Sequence, residues 1–205
     1  GTVIDETCPF DPDAVTIEYS KSKARATLEV LEAVKRGLDA VVVCPTGVTG
    51  PYDFRLSEIA QLIIQLAQGQ LKVSIAGAYD FVDVRDVALG HILASEKGRS
   101  GESYILSGER MTVDDLLATL AEATGVAAPR WKAPLWAAQA IAYFGPLYHA
   151  LTKRSVPFSS DAIATLTSNS FISSEKARRE LGYSSRPIRQ SIMDCVQWLR
   201  DTGRL

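Results

Sequence analysis

The chain has 205 residues, 46% of them hydrophobic, and a formal net charge of −2. This length and apolar content suffice to bury a core in one domain or in two small ones. The near-neutral charge, with Lys and Arg scattered along the chain, gives no reason to expect binding to nucleic acid or to a membrane surface. Cys8, Cys44 and Cys195 are far apart, which predicts free thiols in a reducing cytoplasm rather than disulfides or a metal site.

The first fifty residues predict a loop, a helix and a strand in that order. Residues 1–15 show no hydrophobic period, and a helix is expected over 16–36. An apolar stripe runs through Leu28, Leu31, Val34 and Leu38. The β-branched run over 40–44 indicates a parallel strand that is buried on both faces, and the segment 45–51, rich in Pro and Gly, predicts a sharp turn.

The rest of the chain continues the alternation of helices and short apolar strands, which favours an α/β fold with a parallel sheet. Helices are expected near 56–67, 85–97, 112–124, 173–182 and from 187 onward, and strands near 72–75, 81–84 and 103–106. Thr112 is the expected N-cap of one helix, and Gly125 is its expected C-terminal stop.

The apolar segment 133–151 approaches the length of a membrane span. Gln139 within it and the break at Gly145 and Pro146 make a span an unfavourable interpretation. We expect instead a helix pair that lines an apolar pocket or a subunit contact, as in a homodimer.

Tyr19 and Lys23 lie four residues apart in the first predicted helix, so their side chains share one face. A phenol by itself, with a pKa of about 10, is a poor acid or base near neutrality. A neighbouring ammonium favours the ionised phenol and makes such a pair useful for proton transfer. The same spacing also occurs in ordinary surface pairs. Here, however, the helix leads into a predicted strand that ends in a Pro/Gly turn, and sites in open α/β sheets form at such strand ends.

Several motifs follow one another in the order of a known family. They are YSKSKA at 19–24, VCPTGVTGP at 43–51, FVDVRDVA at 81–88, SGE at 107–109 and EKARRELGY at 175–183. Together they resemble the extended short-chain dehydrogenase/reductases, and more narrowly the dihydroflavonol-4-reductase-like branch of the NAD-dependent epimerase/dehydratase family. The resemblance spans nearly the whole chain, and the ordered set is specific although YSKSK alone is a weak signal.

The resemblance implies the C-terminal part of a Rossmann-type parallel sheet and a smaller, mainly helical substrate-binding domain. Residues 1–50 and 81–108 would belong to the dinucleotide-binding domain, and residues 51–80 and 109–205 to the substrate-binding domain.

The family's glycine-rich turn, which seats the cofactor pyrophosphate at a helix N-terminus, has no counterpart in this sequence. We therefore expect this chain to be the C-terminal portion of a longer enzyme, with the family's catalytic Ser or Thr before Gly1. We also expect the chain alone to bind NAD or NADP weakly or not at all.

The resemblance also implies roles for individual residues. Tyr19 would be the general acid/base at a substrate carbonyl or hydroxyl, and Lys23 would assist it and hold the nicotinamide ribose. The cofactor-binding residues would be Tyr19, Lys23, Pro45, Thr46, Gly47 and Val48. The substrate-binding residues would be Tyr52, Asp53, Phe54 and Arg55. Asp83, Arg85 and Asp86 would be structural and would tie a strand to the helix that follows it.

The leading interpretation is an NAD- or NADP-dependent oxidoreductase that reduces a carbonyl, or oxidises an alcohol, of a fairly apolar small molecule. A nucleotide-sugar epimerase or dehydratase, which uses the same Tyr and Lys, and a non-catalytic NAD(P)-binding member of the family are the alternatives. His91 and His149 have no catalytic partner in the sequence and are expected to be structural. Trp131 and Trp136 are expected in the core or at an interface, and Glu6 in solvent.

Overall fold

The computed structural model describes residues 2–15, 17–143 and 160–205, and helices alternate with strands along them. The helices are α1 (Glu18–Lys35), α2 (Glu58–Ala67), α3 (Val84–Lys97), α4 (Val113–Thr124), α5 (Leu135–Tyr143), α6 (Ser160–Thr167), α7 (Glu175–Leu181) and α8 (Ile188–Asp201). The strands are β1 (Val42–Pro45), β2 (Gly47–Thr49), β3 (Val73–Ile75), β4 (Ala78–Asp83), β5 (Ser103–Leu106), β6 (Glu109–Thr112) and β7 (Trp131–Ala133). The alternation and the parallel strand pairs confirm the predicted α/β class.

In the described part of the chain the strands form three small sheets. β1 pairs with β5 and β2 pairs with β4, both in the parallel direction, and β6 joins β4 in the antiparallel direction. β3 and β7 form a separate parallel pair. The chain crosses from the first sheet to the second at Thr46, between β1 and β2, and again at 107–108, between β5 and β6. The two crossings are neighbours, since the Thr46 N–H donates to the Leu106 carbonyl at 3.2 Å.

The largest cluster of buried side chains brings together α2, α4, α8 and β4. Its members include Ile63, Leu66, Phe81, Leu116, Leu120, Ile188, Ile192, Val196 and Leu199. The last four form the inner face predicted for α8, and their burial confirms that prediction. Each such side chain contributes about 1.5–3 kcal/mol when it is removed from water. This packing fixes α8 beside the segment that leads into α2.

The ends of two helices follow the predicted signals. Thr112 caps α4, because its Oγ1 accepts a hydrogen bond from the Asp115 N–H at 3.1 Å. Gly125 ends α4 in the left-handed conformation, with a φ of 77°. Gly37 follows α1 with a φ of 103°, which confirms it as the stop of that helix.

The segment 45–51 is not the sharp turn that its Pro and Gly content predicts. Gly47–Thr49 form β2, in parallel register with residues 81–83 of β4. Gly47 permits this close pairing, because a Cβ at that position would lie 2.9 Å from Cδ1 of Phe81. Three residues flanked by Pro and Gly give no readable period, so the strand is hidden in the sequence. β6, β7 and α6 are further short elements that the sequence pattern did not indicate.

The first helix and strand are less buried than the sequence predicts. No residue of α1 is buried, and Leu28 in its apolar stripe is 41% exposed. The residues of β1 are half-buried or exposed rather than buried on both faces, because in the described residues β1 pairs only with β5. Trp131 and Trp136 are 77% and 73% exposed, so they do not belong to the core. The other predicted location, an interface, stays a prediction.

The predicted helix pair in 133–151 is described only in part. α5 covers Leu135–Tyr143, whereas residues 144–151, His149 among them, lie outside the described residues. None of the helices in the described ranges has both the length and the apolar character that crossing a membrane requires. The division of the chain into a dinucleotide-binding and a substrate-binding domain stays a prediction.

Candidate active site

Tyr19 and Lys23 lie together in the first two turns of α1. The Nζ of Lys23 is 5.5 Å from the centroid of the Tyr19 ring, within the range of a cation–π contact. Tyr19 is 70% exposed, so its hydroxyl is open to a ligand. The carboxylate closest in sequence, Glu18, pairs instead with Lys21 at 2.8 Å, and none of the described carboxylates pairs with Lys23. The ammonium group of Lys23 is therefore available beside the phenol.

A pocket of about 270 Å³ opens where β2 ends. It is lined by Val48, Thr49, Gly50, Pro51, Tyr52, Asp53, Ser57, Ala60, Val84 and Cys195. Val48, Tyr52 and Asp53 are thus three of the predicted cofactor- and substrate-binding residues that come together here. Burial raises the pKa of Cys195 to about 11, so its thiol stays neutral and acts as one more apolar wall.

The segment from Tyr52 to Ser57 at this pocket has an unusual backbone. Tyr52 and Leu56 both lie in the left-handed region, with φ of 73° and 58°. Such a conformation costs about 1–3 kcal/mol for a residue other than glycine and is common at ligand-binding sites. The Asp53 carboxylate helps to hold it, because its Oδ2 accepts the Ser57 N–H at 2.7 Å. Ser57 in turn caps α2 by accepting the Ala60 N–H at 3.4 Å.

Trp198 and Arg204, which lie near the end of the chain, hold the same segment from the side away from the pocket. The Trp198 ring packs edge-on against Phe54 and Tyr52, with centroid distances of 5.3 Å and 6.4 Å. Arg204 donates from Nη1 to the carbonyls of Asp53 and Phe54, at 3.2 Å and 3.1 Å. Sequence reasoning missed both residues because they lie about 150 positions away from the segment. Phe54 faces Trp198 rather than the pocket.

The remaining predicted residues do not line the pocket. Arg55 is exposed and Pro45 lies exposed at the end of β1. The Thr46 hydroxyl donates to Asp80 Oδ1 at 2.6 Å, so its polar group points into the protein framework. Gly47 packs against Phe81, as described above.

Asp80 is a buried carboxylate that the sequence did not single out. Its Oδ1 accepts the Thr46 hydroxyl and also the Gly108 N–H, the latter at 2.9 Å. Burial raises the pKa of Asp80, and the nearby Glu109 adds to that effect, while the two hydrogen bonds oppose it.

Asp83 and Asp86 are paired with arginines at the junction of β4 and α3, which confirms their structural role. Arg85 donates to Asp83 and also to Asp194 of α8, each at 2.7 Å or less. Arg186 donates to Asp86 at 2.7 Å. Burial opposes ionisation of Asp83, but the hydrogen bonds from Arg85 outweigh it and hold the pKa of Asp83 below its usual value.

The other candidates from the sequence have structural partners. Glu6 is half-buried, and its Oε1 accepts the Ile105 N–H of β5 at 2.8 Å, so this side chain has a structural partner as well as contact with solvent. His91 lies with Nδ1 2.8 Å from the Val87 carbonyl, which confirms it as a hydrogen-bonded structural residue. The three cysteines are free thiols, and the described residues contain no group of His, Cys, Asp and Glu that could hold a metal ion.

The predicted site residues therefore form separate groups. Tyr19 and Lys23 form one group on α1, and neither of them is among the residues that line the pocket. Val48, Tyr52 and Asp53 form the second group, at the pocket. Thr46 belongs to a third group, centred on Asp80.

The parallel strand pairs, the alternating helices and the Tyr–Lys pair define an α/β protein of the Rossmann type. Residues 1–107 match the model of the "NAD dependent epimerase/dehydratase family". This match and the relatives described next establish that the chain belongs to that family, as the motifs predicted.

Two relatives and one solved structure illustrate the similarity. The chain is 36% identical over 96% of its length to sterol demethylase protein B of Methylococcus capsulatus. It is 30% identical over 99% of its length to a putative dihydroflavonol 4-reductase of Synechocystis. The chain spans 60% of the length of each. The crystal structure of a nucleoside-diphosphate-sugar epimerase from Pseudomonas aeruginosa matches with a TM-score of 0.78 at 25% identity, over 95% of this chain and 59% of the other.

Proposed function

We propose that this chain carries the proton-transfer and substrate-binding part of an NAD- or NADP-dependent oxidoreductase. The reaction is the reduction of a carbonyl, or the oxidation of an alcohol, on a fairly apolar small molecule. The observation that carries the proposal is the Tyr19–Lys23 pair, with an unpaired ammonium 5.5 Å from an exposed phenol ring. Membership of a family named for NAD supports the cofactor class.

In the direction of reduction, the Tyr19 hydroxyl donates its proton to the carbonyl oxygen of the substrate. A bound nicotinamide would supply the hydride for the carbonyl carbon, and together with the proton from Tyr19 this would give the alcohol. Lys23, with its Nζ 5.5 Å from the centroid of the Tyr19 ring, supplies a positive charge beside the group that gives up the proton. The oxidation of an alcohol runs through the same groups in reverse.

The residues present fit the nicotinamide end of such a cofactor. Lys23 has no carboxylate partner among the described residues, so its three N–H donors are available to the ribose hydroxyls. The exposed side chains of Pro45 and Val48 offer an apolar surface at the strand end on which the nicotinamide carboxamide would pack. Thr46 and Gly47 would contribute to this surface through their backbone, since the Thr46 hydroxyl donates to Asp80.

The substrate is proposed to bind at the pocket beyond β2. Its walls are mainly apolar and include Val48, Pro51, Val84 and Cys195, while Asp53 adds a carboxylate. An apolar wall with few polar groups suits a hydrophobic small molecule better than a sugar. The names of the two relatives, which mention a sterol and a dihydroflavonol, support the same class.

Nucleotide-sugar epimerase or dehydratase chemistry is the second candidate, because a similar solved structure is a nucleoside-diphosphate-sugar epimerase. A non-catalytic NAD(P)-binding role is the third. Equilibrium binding of a nucleoside-diphosphate sugar to the whole protein that contains this chain distinguishes the second candidate from the first. Measurable turnover excludes the third.

The substitution Tyr19→Phe tests the leading proposal in the whole protein that contains this chain. Removal of the phenolic hydroxyl removes the proton donor while the ring stays, so kcat should fall about 10²–10⁴-fold. Cofactor affinity should change little, because the Lys23 ammonium remains. Steady-state kinetics with an apolar ketone panel and a cofactor titration measure the two effects.

Ser22→Ala is the matched control, since Ser22 is exposed on the same helix one residue before Lys23. It should leave both kcat and cofactor affinity unchanged. Equal kcat values for the wild type and Tyr19→Phe would contradict the assignment of Tyr19 as the proton donor.

A further inference from the structure

Asp80 occupies the point where the two crossings between the sheets meet. Thr46 lies at the crossing from β1 to β2, and Gly108 at the crossing from β5 to β6. Both donate to the same atom, Oδ1 of Asp80, at 2.6 Å from the Thr46 hydroxyl and 2.9 Å from the Gly108 N–H. One carboxylate oxygen on β4 therefore ties together two connections from different parts of the chain.

The packing around this oxygen leaves little room for adjustment. A Cβ on Gly108 would lie 2.2 Å from the Phe81 carbonyl oxygen, and a Cβ on Gly47 would lie 3.0 Å from the Asp80 carbonyl oxygen. Both crossings thus run directly over the backbone of β4. Asp80 itself is only 3% exposed. Movement of either crossing therefore requires the hydrogen bonds to Oδ1 to break.

None of the described cations pairs with Asp80: Arg110, opposite it in the β4–β6 register, bonds to Ser170 instead. The described groups that act on it are Tyr79 beside it, Glu109 of β6, Tyr183 beyond α7, and the two donors at Thr46 and Gly108. Glu109 is itself acidic, and neither tyrosine supplies a positive charge. A buried anion in such surroundings is costly unless its hydrogen bonds compensate. The carboxylate at this position is therefore better explained by its hold on Thr46 and Gly108 than by a contribution of its charge to the stability of the fold.

We propose that Asp80 is a positioning residue for cofactor binding, which acts by fixing the segment 45–48, from the end of β1 into β2, through Thr46 Oγ1 and Gly108 N. The proposal rests on the proposed function, in which this segment packs on the nicotinamide. A ligand that binds a preformed surface does not have to order it, so loss of the tie weakens cofactor binding more than it slows the chemical step.

Three substitutions separate the contributions of this network. Asp80→Ala removes both hydrogen bonds. Asp80→Asn keeps a carbonyl oxygen that can accept at the position of Oδ1, removes the charge and places an NH2 group at the position of Oδ2. Thr46→Val removes one donor and leaves the bond to Gly108. Asp114→Ala is the matched control, because Asp114 is an exposed carboxylate of α4 that pairs with Lys132.

Amide hydrogen exchange in the whole protein that contains this chain measures the tie without any cofactor. In Asp80→Ala the Gly108 amide, which loses its acceptor, should exchange about tenfold faster or more, since a hydrogen bond is worth about one such factor. The Thr46 amide donates to the Leu106 carbonyl, and it should exchange faster because the segment around it is no longer tied to Asp80. In Asp80→Asn the exchange rates of both amides should stay close to the wild-type values. In Thr46→Val only the Thr46 region should exchange faster. Unchanged exchange at Gly108 in Asp80→Ala would overturn the proposal.

Kinetics with the cofactor varied provides the second readout. Asp80→Ala and Thr46→Val should raise the cofactor KM, by about tenfold for the alanine variant, with little change in kcat. The cofactor KM of Asp80→Asn and of Asp114→Ala should stay near the wild-type value. Faster exchange together with an unchanged cofactor KM would overturn the positioning role of Asp80 without affecting the proposed role of Tyr19. The role of Tyr19 is tested separately, by the kcat of Tyr19→Phe. If Asp80→Ala does not fold, Thr46→Val tests the part of the tie that runs through Thr46: unchanged exchange around Thr46, or an unchanged cofactor KM, would then overturn the proposal.

Discussion

Three aspartates close together in the chain, Asp80, Asp83 and Asp86, show how partners decide the behaviour of a buried carboxylate. Asp83 and Asp86 have arginine partners, Arg85 and Arg186, and they connect β4 and α3 to α8 and the segment before it. Asp80 has only neutral donors. Accordingly the pKa of Asp83 lies below its usual value, while burial holds the pKa of Asp80 above it.

The raised pKa of Asp80 gives a prediction about stability and pH. The folded protein binds a proton at Asp80 more tightly than the unfolded chain, whose Asp has a pKa near 3.8. The free energy of unfolding therefore falls as the pH rises from that value through the raised pKa, and the loss is complete above it. Asp80→Asn cannot ionise, so it should be at least as stable as the wild type at pH 7 and should lack this part of the decline.

Urea unfolding of both proteins at a series of pH values between 4 and 8 measures this difference, with Asp114→Asn as the exposed control. The variant curve should approach the wild-type curve at the acidic end of the range and lie above it at the neutral end. A wild-type protein that is more stable than Asp80→Asn at pH 7 would show that the charge at Asp80 is favourable, contrary to the expectation.

At the scale of elements, α8 serves both the core and the candidate substrate site. Its inner face fills the main cluster, and Cys195 on it lines the pocket. Trp198 and Arg204, at and just after its C-terminal end, hold the segment that contains Tyr52 and Phe54. The strained backbone of that segment is therefore stabilised from a helix that is remote in sequence.

Trp198→Ala tests this link between helix and loop. The substitution removes the edge contacts to Phe54 and Tyr52 and part of the packing on the main cluster, and it should destabilise the protein by about 2 kcal/mol. Substrate KM should rise, because the loop that lines the pocket is no longer held. Trp136→Ala is the matched control: Trp136 is 73% exposed, so its removal should change stability by about 0.5 kcal/mol or less. Equal losses in the two variants would contradict the role of Trp198.

The sequence predicted elements according to their length and amphipathic character. α4 and α8 were predicted closely because each has a continuous apolar face and clear signals at its ends, such as Thr112 and Gly125. β2, β6 and β7 have three or four residues each, which is too short for a period to appear. The prediction overestimated the burial of α1. An apolar stripe shows that a helix can pack on an apolar surface, but none of the described residues buries this stripe.

The site was predictable only where its residues are neighbours in sequence. The Tyr19–Lys23 pair follows from helical spacing, and the structure places the two side chains in contact. The tie from Thr46 to Asp80 spans 34 positions, and the bond from Arg204 to Asp53 spans 151. Contacts at such separations depend on how the strands and helices are arranged, which no local pattern encodes.

At the scale of the whole molecule, the surface proposed to bind the nicotinamide is not accompanied, among the described residues, by a glycine-rich turn that opens a helix. A cofactor pyrophosphate is commonly held by backbone N–H groups at the N-terminus of a helix that follows a glycine-rich turn. Of the two close glycine pairs in the sequence, Gly47 lies in β2, and Gly50 follows that strand. Gly98 ends α3, and Gly101 donates its N–H to the Ala40 carbonyl. Neither pair opens a helix.

This arrangement predicts weak cofactor binding by the 205-residue chain alone. In the proposed function, Lys23 and the segment 45–48 contact only the nicotinamide and its ribose. So small a contact, without the pyrophosphate and adenosine, should give a Kd of about 1 mM or weaker. Isothermal titration of the chain with NAD and with NADP measures the value, and the whole protein that contains the chain is the positive control. Micromolar binding to the chain alone would contradict this prediction and mean that its own residues hold the pyrophosphate. Lys21 and Lys23, the lysines nearest to Tyr19 in the sequence, would then be the first residues to substitute.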